Sequence, residues 1–192
     1  MGSLARMSIE KPPRSAAAIV VGCVGFLFVA GYAVFGMLQV LVLDPLAEVP
    51  DMTLEEIYIH AARSNETMHV WVVVMLLGPG LLLGLGSLVL SCRRGATWVQ
   101  SAAVAAGLLF LGGFPFFWAW FGVGMNVADA FGTRGGDHTG WGALMWATSG
   151  CAALVLLLLA VWVGVRSGVR AWWARRAALA QANLADSTHS EA

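Results

Sequence analysis

Charge is scarce in this chain. Asp, Glu, Lys and Arg make up 11% of its 192 residues, where a soluble domain carries roughly 25%. Apolar residues make up 59%, and the mean hydropathy is +0.76. A surface of that composition could not be kept in water. Eleven basic and eleven acidic residues cancel, so no net field points to nucleic acid as a partner. Cysteine is sparse as well. Cys23, Cys92 and Cys151 supply neither a disulfide framework nor a CxxC metal pair. Strict alternation of apolar and polar residues is missing, which excludes a β-barrel.

A second absence bears on function. The charges leave four charge-free stretches, residues 15–43, 67–92, 95–128 and 138–165, each longer than the ~20 residues that cross a bilayer as helix. No Asp, Glu, Lys, Arg or His lies near the middle of any of them. Intramembrane ionisable groups mark proton relays and coupled transport, so proton-coupled transport through one chain is not expected. His60, His69, His138 and His189 include no mid-membrane pair, which excludes a bis-His cytochrome. Gln39, Gln100, Thr148 and Ser149 form no Ser-His-Asp or Cys-His constellation in the sequence.

What remains is an all-α chain, read as an integral membrane four-helix bundle and a single domain, with spans at about 17–42, 69–91, 98–122 and 141–165. Nine of the eleven basic residues fall in three places: Arg6, Lys11 and Arg14, then Arg93 and Arg94, then Arg166, Arg170, Arg175 and Arg176. The first connection instead carries Asp44, Glu48, Asp51, Glu55, Glu56 and Glu66, and the third carries Asp129 and Asp137. By the positive-inside rule both termini are cytoplasmic and the acidic connections face outward. The first stretch far exceeds the ~7 to 15 apolar residues of a signal peptide and is expected to stay as a helix. Val21-Gly22-Cys23 faintly matches a lipoprotein cleavage site, yet the apolar run continues to Leu43. Arginine outnumbers lysine ten to one and Ala and Gly abound, which suggests a GC-rich bacterial source and hence the cytoplasmic (inner) membrane.

Small residues spaced by threes and fours, among them Gly80 and Gly84, form seams along which helices can approach. Gly78-Pro79-Gly80 predicts a kink or local unwinding, and Gly112-Gly113-Phe114-Pro115 predicts that the third span bends or ends its regular part. Beyond that break come Phe114, Phe116, Phe117, Trp118, Trp120 and Phe121. The run is denser than one interfacial belt and reads as a lipid anchor or as a slab against another membrane protein or a hydrophobic ligand. Trp162, Trp172 and Trp173 alternate with arginines at the inner end of the last helix, and the tail 177–192 is expected to be flexible.

In the first connection Thr53-Leu-Glu-Glu56 has the form of a capping box, predicting a short amphipathic helix over about 53–64 with Leu54, Ile57, Tyr58 and Ala61 on one side. The outer connections also hold the chain's candidate ligands. Glu56 and His60, then Glu66 and His69, are spaced to share a helical face, and Asp137 and His138 come from the other connection. Imidazole and carboxylate together suit a transition metal. The preferred reading is nonetheless solvated helix charge with structural histidines, and no cofactor is expected. The chain lacks the Trp-Gly-Leu-Trp motif and paired extracellular cysteines of claudin-like proteins. The functional expectation is a non-catalytic accessory subunit of a larger bacterial membrane complex, such as a respiratory one, meeting lipids and other integral membrane subunits. The rivals are an outer-face metal enzyme and an oligomeric channel or transporter.

Overall fold

A computed structural model describes residues 15–190, with side chains to Arg176. Arg6, Lys11 and Arg14 lie outside the described residues, and the tail 177–192 lies outside the described side chains. Every element is helical, with no strand among the described residues. Four helical runs are long and apolar enough to cross a membrane: Ala16–Glu48, Val70–Ser91, Trp98–Phe131 and Trp141–Arg176. The chain therefore has the make-up of a multi-pass membrane protein.

Helix α1 (Ala16–Leu38) starts where Ser15 accepts a hydrogen bond from the Ala18 amide at 3.3 Å. It does not stop at the expected boundary near residue 42. A π-helical turn (Gln39–Leu43) carries it into α2 (Asp44–Glu48). The cause is Pro45, which has no N–H to offer the Leu41 carbonyl and whose ring crowds that oxygen. The turn widens so that the Asp44 amide bonds back to Gln39. The Leu41 carbonyl is taken instead by the Tyr58 hydroxyl, which donates at 3.0 Å. Tyr58 belongs to α3 (Leu54–Arg63), whose capping box between Thr53 and Glu56 is fully formed and whose Ile57 and Ala61 are buried. The amphipathic helix expected in this connection is thus docked onto the end of the first span by both an apolar face and a hydroxyl.

Helices α4 (Val70–Ser91) and α5 (Trp98–Phe131) pass through Pro79 and Pro115 without unwinding. The glycines beside Pro115 are explained by packing. A Cβ at Gly112 would lie 3.1 Å from the Tyr32 ring, and one at Gly113 would lie 3.0 Å from the Ser149 hydroxyl. With room for those neighbours the helix loses only the bond that proline cannot make, and α5 outlasts the span expected to close near 122. It ends at Gly132, whose φ of +65° is a left-handed cap that returns its amide to Ala128.

Helices α1, α4 and α5 pack against one another. Gly22 and Gly25 make the approach possible, because a Cβ at either would fall 2.5 Å from Ser91 of α4 or Ala105 of α5 respectively. The core they enclose includes Tyr32, Val73, Leu77, Phe116, Val127 and Met145. Met145 comes from the start of α6 (Trp141–Ser190). Residues to Ala153 form one compact unit and those from Leu154 form a second. In the second, the guanidiniums of Arg166 and Arg176 sit 5.0 and 4.1 Å over the rings of Trp162 and Trp172, within cation–π distance.

Candidate functional site

The densest polar constellation lies where the π turn and α2 meet the connection between α5 and α6. The π turn aims Gln39 inward, and α2 presents Asp44 and Glu48 one helical turn apart. Asp137 organises the opposing stretch of chain. Its Oδ1 accepts from the amides of Thr139 (3.2 Å) and Gly140 (2.9 Å) and from the Thr139 hydroxyl (2.9 Å), while Oδ2 accepts from the Ala143 amide. These bonds satisfy amides at the start of α6 that have no partner within the helix. Gln39 reaches across and donates its Nε2–H to Thr139 Oγ1 at 2.6 Å and, at 3.5 Å, to Asp137 Oδ1.

Asp44 is only 2% exposed and accepts two bonds, from the Trp120 indole N–H and from the His138 backbone N–H, each at 3.0 Å. Glu48 receives the Thr133 hydroxyl on Oε1. Its Oε2 faces His138 Nδ1 at 3.8 Å, with the Glu48 side chain 1% exposed. Two buried acceptors, Gln39 Oε1 and Glu48 Oε2, have no hydrogen-bond partner. Since a buried polar group without a partner costs free energy, both are set to accept a proton donor, and the imidazole of His138 is the nearest one for Glu48. Together these contacts pin the α5–α6 connection over the end of α1. Among the described residues no three of His, Cys, Asp and Glu are grouped to hold a metal ion.

The six candidate ligands are dispersed accordingly. Glu56 is committed to its own helix cap, accepting the Thr53 amide and hydroxyl at 2.8 Å. Those two bonds stabilise the carboxylate and hold its pKa below the ordinary glutamate value. His60 stacks on Phe131 with ring centroids 4.5 Å apart. His69 pairs with the Thr67 hydroxyl at 3.1 Å. Glu66 sits past the end of α3, its amide bonded to Ala61. Only Asp137 and His138 enter the constellation described above. In α3, Tyr58 has its phenol pKa raised by burial.

The aromatic run is also divided. Phe116 is 1% exposed and meets Tyr32 and Trp146 edge-on, at 6.4 and 6.2 Å. Trp120 turns inward to Asp44. Phe114, Trp118 and Phe121 remain on the outer face, with Phe117 between them, stacked on Phe121 at 5.8 Å. The helical repeat explains the division, since positions 116, 119, 123 and 127 all face the core. Gly80 and Gly84 face α1, where a Cβ at Gly84 would lie 3.1 Å from Val29 and one at Gly80 would lie 3.6 Å from Ala33.

The sequence places Asp44 and Glu48 only among the acidic residues of the first connection and puts Gln39 in no catalytic constellation. One signal was available. Asp44 and Glu48 are four apart immediately after an apolar run, with a proline between them, so a continued helix would set both on one face. Deeper in the same unit, Ser149 donates to the Leu109 carbonyl at 3.0 Å, so the Tyr32 hydroxyl, 3.0 Å away, must be the donor to Ser149. Comparison with known protein families, curated proteins and solved structures finds no match to this chain.

Proposed function

We propose that this chain is a non-catalytic subunit of a larger membrane complex, its four spans forming a bundle in a bacterial cytoplasmic membrane with both termini inside. The charge pattern supports the orientation, because eight of the ten arginines lie at the ends or in the α4–α5 connection while eight of the eleven acidic residues lie in the other two connections. The observation that carries the functional reading is the outward aromatic face of α5. Phe114, Trp118 and Phe121 are 69%, 49% and 45% exposed. They hold one another edge-on at 6.2 Å (Phe114–Trp118) and 6.3 Å (Trp118–Phe121), so docking would cost little side-chain entropy. Beside them runs a groove of about 470 Å³ between Phe110, Phe114 and Phe117 on one wall and Trp146 and Gly150 on the other. A rigid aromatic ridge next to an apolar groove suits the ridge-into-groove packing of a partner's transmembrane helix.

Purified from its host in mild detergent, the chain should travel in a particle much heavier than 20.3 kDa plus its micelle. Replacing Phe114, Trp118 and Phe121 together by Leu should release it without harming insertion, since Leu inserts equally well. A native protein that elutes alone, or a triple variant that stays fully associated, would refute the proposal.

A further inference from the structure

At the end of the molecule opposite the carboxylate–histidine constellation, the chain between α4 and α5 turns back within a few residues, with Gly95 at φ +84°. Arg93 and Arg94 stand in this turn, exposed, and neither makes an ion pair among the described residues. Between the turn and the two helices is a cavity of about 410 Å³ whose wall includes both arginines, Gln100, Ser87, Ser91 and Ser101. The volume falls in the range of small-molecule pockets and exceeds the needs of a lone ion.

The chemistry of the lining is two-part. The rim offers two guanidiniums, whose planar forks match a phosphate. The deeper wall offers oxygen acceptors. Ser87, Ser91 and Ser101 are all buried, and their hydroxyl hydrogens are committed to the carbonyls of Gly84 (2.7 Å), Ser87 (2.9 Å) and Thr97 (3.4 Å). What each hydroxyl retains is a lone pair, which calls for a donor on the ligand. A halide would meet the rim and leave that wall unmatched, and inorganic phosphate has at most two P–OH groups to offer it. A phosphodiester whose substituent carries hydroxyls matches both parts.

We infer that this cavity is a headgroup site for an anionic phospholipid with a hydroxylated headgroup, of the phosphatidylglycerol type, with its phosphate on Arg93 and Arg94. Leu90 and Val104 also line the cavity and offer apolar wall along which acyl chains would continue over the two helices. Phosphodiesters line both faces of a bilayer, so the inference holds for either orientation of the chain.

Native mass spectrometry of the delipidated full-length protein tests it, with phosphatidylglycerol, phosphatidylcholine and inorganic phosphate as probes. Phosphatidylglycerol should stay bound under activation that strips phosphatidylcholine. R93Q/R94Q should lower its occupancy by about tenfold or more, as expected from losing two charge-assisted contacts. R170Q/R175Q should leave it unchanged. Should R93Q/R94Q fail to purify, R93K/R94K keeps the charge, lacks the planar fork, and should still lose occupancy. Equal retention of the two lipids overturns the inference, as does a glutamine or lysine double variant with wild-type occupancy. Displacement of the lipid by inorganic phosphate would show a free-anion site and overturn it too.

Discussion

Replacing Asp44 by Asn would keep the shape of a 2% exposed side chain and change only its hydrogen-bonding capacity. The aspartate accepts on both oxygens, from Trp120 at 3.0 Å and from the His138 amide at 3.0 Å. An asparagine has one acceptor. Whichever way the amide turns, one buried N–H faces an NH₂ group, at a cost of about 1–3 kcal/mol. For a chain of this size each kcal/mol moves Tm by about 2–4 °C, so Tm should fall by about 2–12 °C. Asp44→Ala strands both donors and should cost about twice as much. Trp120→Phe removes one donor, so in its presence the carboxamide introduced by D44N is free to turn its oxygen to the His138 amide. The D44N/W120F double variant should therefore lose less than the sum of the singles, by about 1 kcal/mol. Far-UV circular dichroism melts in mild detergent suit the comparison, because Trp120 is itself one of the changes. Strict additivity in the cycle, or wild-type Tm for D44N, would show that the two bonds do not hold α5 and the α5–α6 connection to α2.

Other outcomes follow from the same geometry. Gly25→Leu places a Cβ 2.5 Å from Ala105 and should lower stability by about 1–3 kcal/mol or more through overpacking, whereas Gly31→Leu, with nothing within 4 Å, should melt with the wild type. Tyr58→Phe leaves the Leu41 carbonyl without its donor and should speed amide hydrogen exchange in α3 selectively, consistent with the loss of about 1 kcal/mol; unchanged exchange would mean that the apolar face alone docks the helix. The depressed pKa of Glu56 fixes the sign of a pH effect. Its contribution to α3 is present above the ordinary glutamate pKa and is lost as pH falls through the lower folded value, so the Thr53 amide should lose protection only in acid; loss beginning near neutrality would point to a different group. In a background lacking Cys23, Cys92 and Cys151, single cysteines at Asp51 and Gly135 should react with an impermeant thiol reagent on intact cells and one at Ala96 should not; the reverse pattern would invert the proposed topology.

Much of the architecture is legible from local rules. Apolar runs free of charge between residues 15 and 165 compel helices, because backbone groups have no other partner in a bilayer. The Thr53–Glu56 capping box needs only neighbours in sequence, and the structure forms it as read. Termini of helices were less legible. Pro45 and Pro115 look like stops, yet each removes a single donor, and neighbours hundreds of atoms away along the chain decide whether the helix tolerates that.

The site depended on such neighbours throughout. Asp44 meets Trp120 across 76 residues and His138 across 94, and Gln39 meets Thr139 across 100. No spacing rule reaches that far. Composition correctly marks Phe114 to Phe121 as an aromatic concentration, but which rings face outward follows from which side of α5 the core occupies. Candidate ligand His60 shows the same limit, since it finds Phe131. Sequence by itself therefore determined helices, their apolar character and the Thr53–Glu56 cap, all set by interactions within about one helical turn or by the solvent. Tertiary structure alone decided which buried acceptors meet donors, which glycines admit a neighbouring helix and which aromatic rings remain outside, because those depend on side chains brought together from opposite ends of the chain.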